Sequence, residues 1–105
     1  MRIGNLIVDA WEFDWNAKWI RNIRPYNVPN VLRGFIAIES KFNHGNGTLY
    51  YFYFSKNNPF IKAYDSIYKS DMSVVHRSEL FDSFAAAKDR VDLFLSKIEK
   101  LKVFL

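Results

Sequence analysis

Two runs of alternating side chains, GFIAIESKF and LYYFYFS, lie between Gly34 and Ser55 with the glycine-containing stretch NHGNG between them. Period-two alternation belongs to half-buried strands and the glycines permit a tight reversal, so this segment predicts a β-hairpin. On its first strand Ile36, Ile38, Ser40 and Phe42 share one face, while Phe35, Ala37, Glu39 and Lys41 share the other. On the second strand Tyr50, Phe52 and Phe54 oppose Leu49, Tyr51 and Tyr53. The most apolar register sets Ile36 near Phe54 and Ile38 near Phe52. It makes each pair of residue numbers sum to an even value, which an odd-membered loop centred on Gly45 provides and a two-residue Asn46-Gly47 turn does not. A loop of three or five residues, with Gly45 or Gly47 at positive φ, is therefore expected.

A second pattern dominates the C-terminus. Phe84, Ala87, Val91, Phe94, Ile98, Leu101 and Leu105 recur at steps of three and four behind Ser83, a good N-cap, and Lys97, Lys100 and Lys102 lie toward the negative end of the helix dipole. This spacing predicts a long helix over about 83–104. The hairpin face bearing Ile36 and Phe54 is its natural seat, and the same spacing would allow a two-helix seam with a second copy. Val103, Phe104 and Leu105 are expected to be docked rather than free in water.

The remaining segments read less simply. Trp11, Phe13 and Trp15 alternate with Glu12, Asp14 and Asn16 as in a strand, yet Trp11, Trp15 and Trp19 also fall four apart, with Asp9 and Glu12 at capping-box spacing. Leu6-Ile7-Val8 tips the balance toward a strand from about Leu6 to Asp14. A short helix over Asn16 to Arg24, stopped by Pro25, is expected next. Tyr26 to Asn30 is a proline-held loop. Asn58 and Pro59 open a helix running to about Lys69, and Ser73 to Arg77 is expected as a short strand closing the sheet. The sum is one α+β domain over 1–105: a small antiparallel sheet built on a central hairpin (about 34–55), with the long C-terminal helix (about 83–104) packed on one face and one or two short helices. A sheet followed by a C-terminal helix resembles the layout of the sheet-reading DNA-binding domains of some phage integrases, although the insert from Lys56 to Met72 departs from it.

Composition narrows the function classes. The chain has 105 residues, half of them apolar, enough for one packed core. Cysteine is absent, which removes disulfides, cysteine nucleophiles and thiolate zinc sites and suits a reducing compartment. The N-terminus lacks a signal-peptide core, and no run approaches the roughly 18 to 20 apolar residues of a membrane span, so a cytoplasmic protein is expected. The abundance of Asn, Lys, Phe, Tyr and Ile fits an A+T-rich bacterial or phage genome. Charge is uneven: residues 1–14 carry a net −2, residues 15–64 a net +6, and residues 65–105 none. The positive excess gathers around the hairpin and favours anionic partners.

Candidate chemistry is sparse. His44 sits in the hairpin loop and His76 follows two valines, with no metal-like spacing between them, and no phosphate loop, nucleophile elbow or HExxH is present. No carboxylate dyad is suggested, so a non-enzymatic protein without cofactor or metal is expected. The residues expected to bind are Arg21, Arg24, Arg33, Lys41 and Lys56, which suit phosphates, with Tyr51 and Tyr53 as stacking rings. The partner class expected first is nucleic acid or a nucleic-acid–protein complex. The alternative is an inhibitor, adaptor or immunity-type protein that uses exposed aromatics as hot spots against an acidic protein surface, or a homodimer through the C-terminal helix. The tryptophans at helical spacing also have a plainer use as core anchors. The deciding feature is whether anything covers Phe35, Tyr51 and Tyr53.

Overall fold

The alternation of the hairpin is realised in full. A computed structural model of the chain describes residues 1–28, 30–45 and 47–101. In it β5 (Gly34–Asn43) and β6 (Gly47–Phe54) pair with Ile36 opposite Phe54 and Ile38 opposite Phe52. The ladder ends at Asn43 opposite Gly47, whose φ of +71° is the left-handed conformation that glycine adopts without strain. Four further strands complete an antiparallel sheet: β1 (Arg2–Ile3), β2 (Leu6–Val8), β3 (Glu12–Phe13) and β4 (Trp19–Pro25). The order is β1-β2-β4-β5-β6, with β3 also paired to β4.

The helix expected over Asn16 to Arg24 is instead a strand, β4. Its own sequence explains why: Trp19, Arg21 and Ile23 alternate with Ile20, Asn22 and Arg24, and the edge of β5 offers a ladder from Trp19 opposite Ile38 to Ile23 opposite Gly34. Ala17, at φ +58°, turns the chain into it. The single strand expected from Leu6 to Asp14 is divided. Val8 pairs with Ile23 at the far end of β4, where the Asp9 N–H still donates to the Asn22 carbonyl at 2.8 Å, Phe13 pairs with Trp19 at the near end, and Ala10 and Trp11 leave the ladder between them.

Helix α1 spans Ile61–Tyr68, two residues later than Pro59, because the buried Asn58 accepts the Phe60 N–H on its side-chain oxygen (2.9 Å) and holds that stretch as a turn. Residues expected as a closing strand form α2 (Met72–Val75), ended by His76 in the left-handed region. The edge of β6 is met just beyond, where Arg77 bridges Tyr53 and Phe81 bridges Tyr50. Helix α3 runs Phe84–Leu101, and Ser83 Oγ accepts the Ala86 N–H at 3.1 Å. The expected end of this helix near 104 and the docking of Val103, Phe104 and Leu105 lie outside the described residues.

One face of the sheet carries the core. Ile3, Val8, Ile23, Ile36, Ile38, Phe52 and Phe54 are buried there against Ile61 and Tyr64 of α1 and Ala87, Val91, Phe94, Leu95 and Ile98 of α3. Phe94 stacks on Phe54 with ring centroids 6.1 Å apart and meets Tyr64 edge-on at 5.0 Å. The face of α3 that could have served a second copy is therefore buried in its own domain, with Leu93 and Leu101 left exposed. Phe94→Ala should lower the unfolding free energy by about 3–5 kcal/mol, read from urea unfolding, because it opens a cavity where α1, α3 and β6 converge.

Candidate functional site

Alternation sends Phe35, Ala37, Glu39, Lys41, Leu49, Tyr51 and Tyr53 to the opposite face of the sheet, joined by Lys18, Ile20, Asn22 and Arg24 from β4 and its approach. The buried residues of α1, α2 and α3 all belong to the core on the other side, so no described helix lies over this face. Its rings form a short ladder. Phe35 meets Tyr53 edge-on at 6.0 Å, and Tyr51 lies tilted against Tyr53 at 6.0 Å.

Glu39 organises that ladder. Directly opposite Tyr51 in the sheet, it accepts the Tyr51 hydroxyl at 2.6 Å and the Tyr53 hydroxyl at 3.2 Å. Lys18 Nζ then donates to Tyr53 Oη at 3.2 Å and lies 3.6 Å from the Glu39 carboxylate. The strong bond to Glu39, followed by burial, pushes the Tyr51 hydroxyl up to about 12. Burial raises Tyr53 against the opposing pull of Lys18, and the bond to Tyr53 raises Lys18. At neutral pH the cluster is thus one carboxylate, one ammonium and two neutral phenols, with both hydroxyls tethered. Arg77 stands over the Tyr51 ring, its guanidinium carbon 5.4 Å from the centroid.

The other residues expected to bind are distributed unequally. Arg24 is on this face, held 3.0 Å from Asp9. Lys41 is exposed near the hairpin tip, and Arg33 and Lys56 are exposed at its base. Arg21 is different: alternation turns it to the core face, where it is only 9% exposed. Its Nε donates to the Asp9 carbonyl at 2.8 Å, NH1 meets Asp92 at 3.0 Å, and the guanidinium lies 5.4 Å from the Trp11 ring centroid. Trp11 Nε1 donates to the same Asp92 oxygen. Arg21 is a buried tie between β4 and α3, its pKa lowered by burial against the pull of Asp92. The sequence reading missed this because a helix would have turned it to solvent. Lys18 and Arg77, which were not among the residues expected to bind, reach the open face; placing Lys18 there needed the β4–β5 ladder.

His44 is exposed at the hairpin tip, edge-on to Phe42, whereas His76 lies at the opposite end of β6, where its carbonyl accepts the Phe54 N–H. Among the described residues no group of three or more His, Asp or Glu is placed to hold a metal ion, and no helix is long and apolar enough to cross a membrane. Compared with protein-family models, curated proteins and solved structures, the chain matches none, so the likeness to integrase domains expected from the sequence gains no support.

Two outcomes follow from this geometry. Arg21→Ala should cost about 2 kcal/mol of stability by urea unfolding, below the range for fully buried pairs because Asp92 stays about one-third exposed and keeps Lys88. In an alkaline titration followed by tyrosinate absorbance, one phenol should ionise near pH 12, and Glu39→Ala should return it toward 10. The sign follows from the raised pKa. The folded state holds this proton more tightly than the unfolded one, so the bond's contribution is complete below about pH 10 and is lost as pH rises through about 12.

Proposed function

We propose that this protein is a non-enzymatic module that binds single-stranded nucleic acid on the helix-free face of its sheet. The observation that carries the reading is the half-buried ladder of Phe35, Tyr53 and Tyr51, with no described helix over it and cations around it. Aromatic rings on an open sheet face suit unstacked bases, which offer a π-face whatever their sequence. Arg77 and Lys18 flank the rings, Lys41 lies toward the hairpin tip, and Arg33 and Lys56 lie at the base. From Arg33 to Lys41 the strand spans roughly 26 Å, which sets a cation at each end of the rings. Tethering of both hydroxyls on Glu39 fixes the ring planes before a partner arrives, which reduces the ordering cost of binding.

A protein partner is the second reading, and a specific observation favours it. Trp15 is fully exposed, and Phe42, Leu32 and Phe13 are each at least 60% exposed. Side chains of this type act as anchors at protein interfaces. A homodimer through α3 would draw on Leu93 and Leu101, its large exposed apolar side chains among the described residues. A cytoplasmic, bacterial or phage setting accords with the absence of cysteine and the composition.

Fluorescence anisotropy with labelled single-stranded DNA and RNA separates these readings. Affinity should fall with salt at a logarithmic slope of about 0.7 per phosphate contact. Tyr53→Ala should weaken binding about tenfold, the scale of one lost stacking contact. The exposed pair Lys41→Glu and Lys56→Glu should abolish binding without moving the thermal midpoint. Absence of binding to single strands at low salt would defeat this reading, and capture of a specific protein would then take its place.

A further inference from the structure

A cleft lies at the base of the hairpin, where the last ring of the open face is anchored. The Phe35 N–H donates to Ser55 Oγ at 2.9 Å, and the buried Asn58 donates through Nδ2 to the Phe35 carbonyl at 2.9 Å. The turn after β6 is thereby tied to Phe35, with Asn57 in the left-handed region at φ +61°. Two further backbone bonds hold the neighbouring segments: the Tyr26 N–H donates to the Asn5 carbonyl at 2.9 Å, and the Arg33 N–H to the Ile23 carbonyl at 2.7 Å. Between them is a cleft of about 420 Å³ lined by Asn5, Leu6, Pro25, Arg33, Asn57 and Pro59.

Its charge is one-sided. The stretches 1–8, 24–35 and 55–63 that supply these lining residues hold Arg2, Arg24, Arg33, Lys56 and Lys62 and no Asp or Glu. Two of the cations are engaged, Arg2 over the Tyr26 ring with its Nε on the Gly4 carbonyl, and Arg24 with Asp9. Arg33 makes no side-chain hydrogen bond or ion pair among the described residues, and neither do the carboxamides of Asn5 and Asn57. The cleft therefore holds one uncommitted guanidinium fork and two uncommitted amide donors, with no carboxylate in its lining. That donor set matches a phosphate monoester, which carries nearly two negative charges at neutral pH and three strong acceptor oxygens, better than a mid-strand diester with its single charge.

We propose that this cleft binds the terminal phosphate monoester of a single strand whose last base rests on Phe35, so that the open face engages the end of a strand rather than its middle. Arg33 lies two residues from Phe35, roughly 7 Å along the strand, within the reach of one nucleotide. The inference rests on the nucleic-acid reading and adds an end preference to it.

The test is fluorescence anisotropy of the full chain with three internally labelled eight-nucleotide strands of one sequence, ending in a 5′-phosphate, a 3′-phosphate or hydroxyls only. One of the two phosphorylated strands should bind at least fivefold tighter than the hydroxyl-ended strand at equal salt, and which of them does so fixes the polarity of the bound strand. Asn57→Asp is isosteric, tolerates the left-handed region and sets a carboxylate in the cleft. It should cut the advantage to less than twofold, with the hydroxyl-ended strand bound as before and the thermal midpoint unchanged, and Asn5→Asp should do the same. Equal binding of all three strands would overturn the proposal and leave the nucleic-acid reading standing, whereas no binding of any strand would overturn both. An equal gain from either phosphate, the mark of charge alone, or an advantage that survives both substitutions would also overturn it.

Discussion

The parity of one hairpin register governs this molecule. Because Ile36 faces Phe54 and Asn43 faces Gly47, all four of Ile36, Ile38, Phe52 and Phe54 point to one side, and Phe35, Tyr51 and Tyr53 point to the other. A slip by one residue would mix the faces, exposing phenylalanines and driving Glu39 and Lys41 toward the helices. The glycine at position 47 fixes the register by closing an odd-membered loop in a conformation that other residues reach only with strain. The seat of α3, the edge met by Arg77 and Phe81, and the open ring ladder all follow from that parity.

Strand β4 extends the same rule to the charges. Its odd-numbered residues enter the core face, so Arg21 must be buried, and burial of a guanidinium is tolerable only with near-complete pairing. Asp92 provides the charge, the Asp9 carbonyl another acceptor, and Trp11 a π-face, while the Trp11 N–H closes the network on Asp92. Its even-numbered cation, Arg24, stays on the open face, paired with Asp9. The net positive charge of residues 15–64 is thus divided by backbone alternation, with one cation tying β4 to α3 and others left on the open face.

Legibility in the sequence tracked the strength of the local period. The hairpin, its register and the C-terminal helix were readable because long apolar repeats admit one solution each, and the pairing of Ile36 with Phe54 followed from parity alone. Residues 5–24 were not, since tryptophans four apart mimic a helix while alternate residues mimic a strand, and only the β5 edge, distant in sequence, decides between them. Two segments were decided by single polar groups. Asn58 delays α1, and the left-handed His76 sends the chain from α2 to the edge of β6. Of the candidate site, Tyr51, Tyr53 and Lys41 were legible from strand parity, whereas the roles of Lys18 and Glu39 needed the ladder that sets β4 beside β5.

The acid at the centre of the open face has a physical consequence for any anionic ligand. Glu39 would repel a phosphate placed directly over the ring ladder, but Lys18 lies 3.6 Å from it and both phenols donate to it, so its charge is locally compensated. The remaining positive potential therefore comes from the periphery: Arg77 beside Tyr51, Lys41 near the tip, and Arg33 and Lys56 at the base. Under the proposed function, phosphates would lie along that rim and uncharged bases over the centre, the division that stacking on Tyr53 and Tyr51 requires. The same arrangement gives the face a direction, because the strand axis from Arg33 to Lys41 offers cations at its two ends and rings between. A ligand lying across the strands would instead pass from Ile20 or Asn22 over no more than one of these rings.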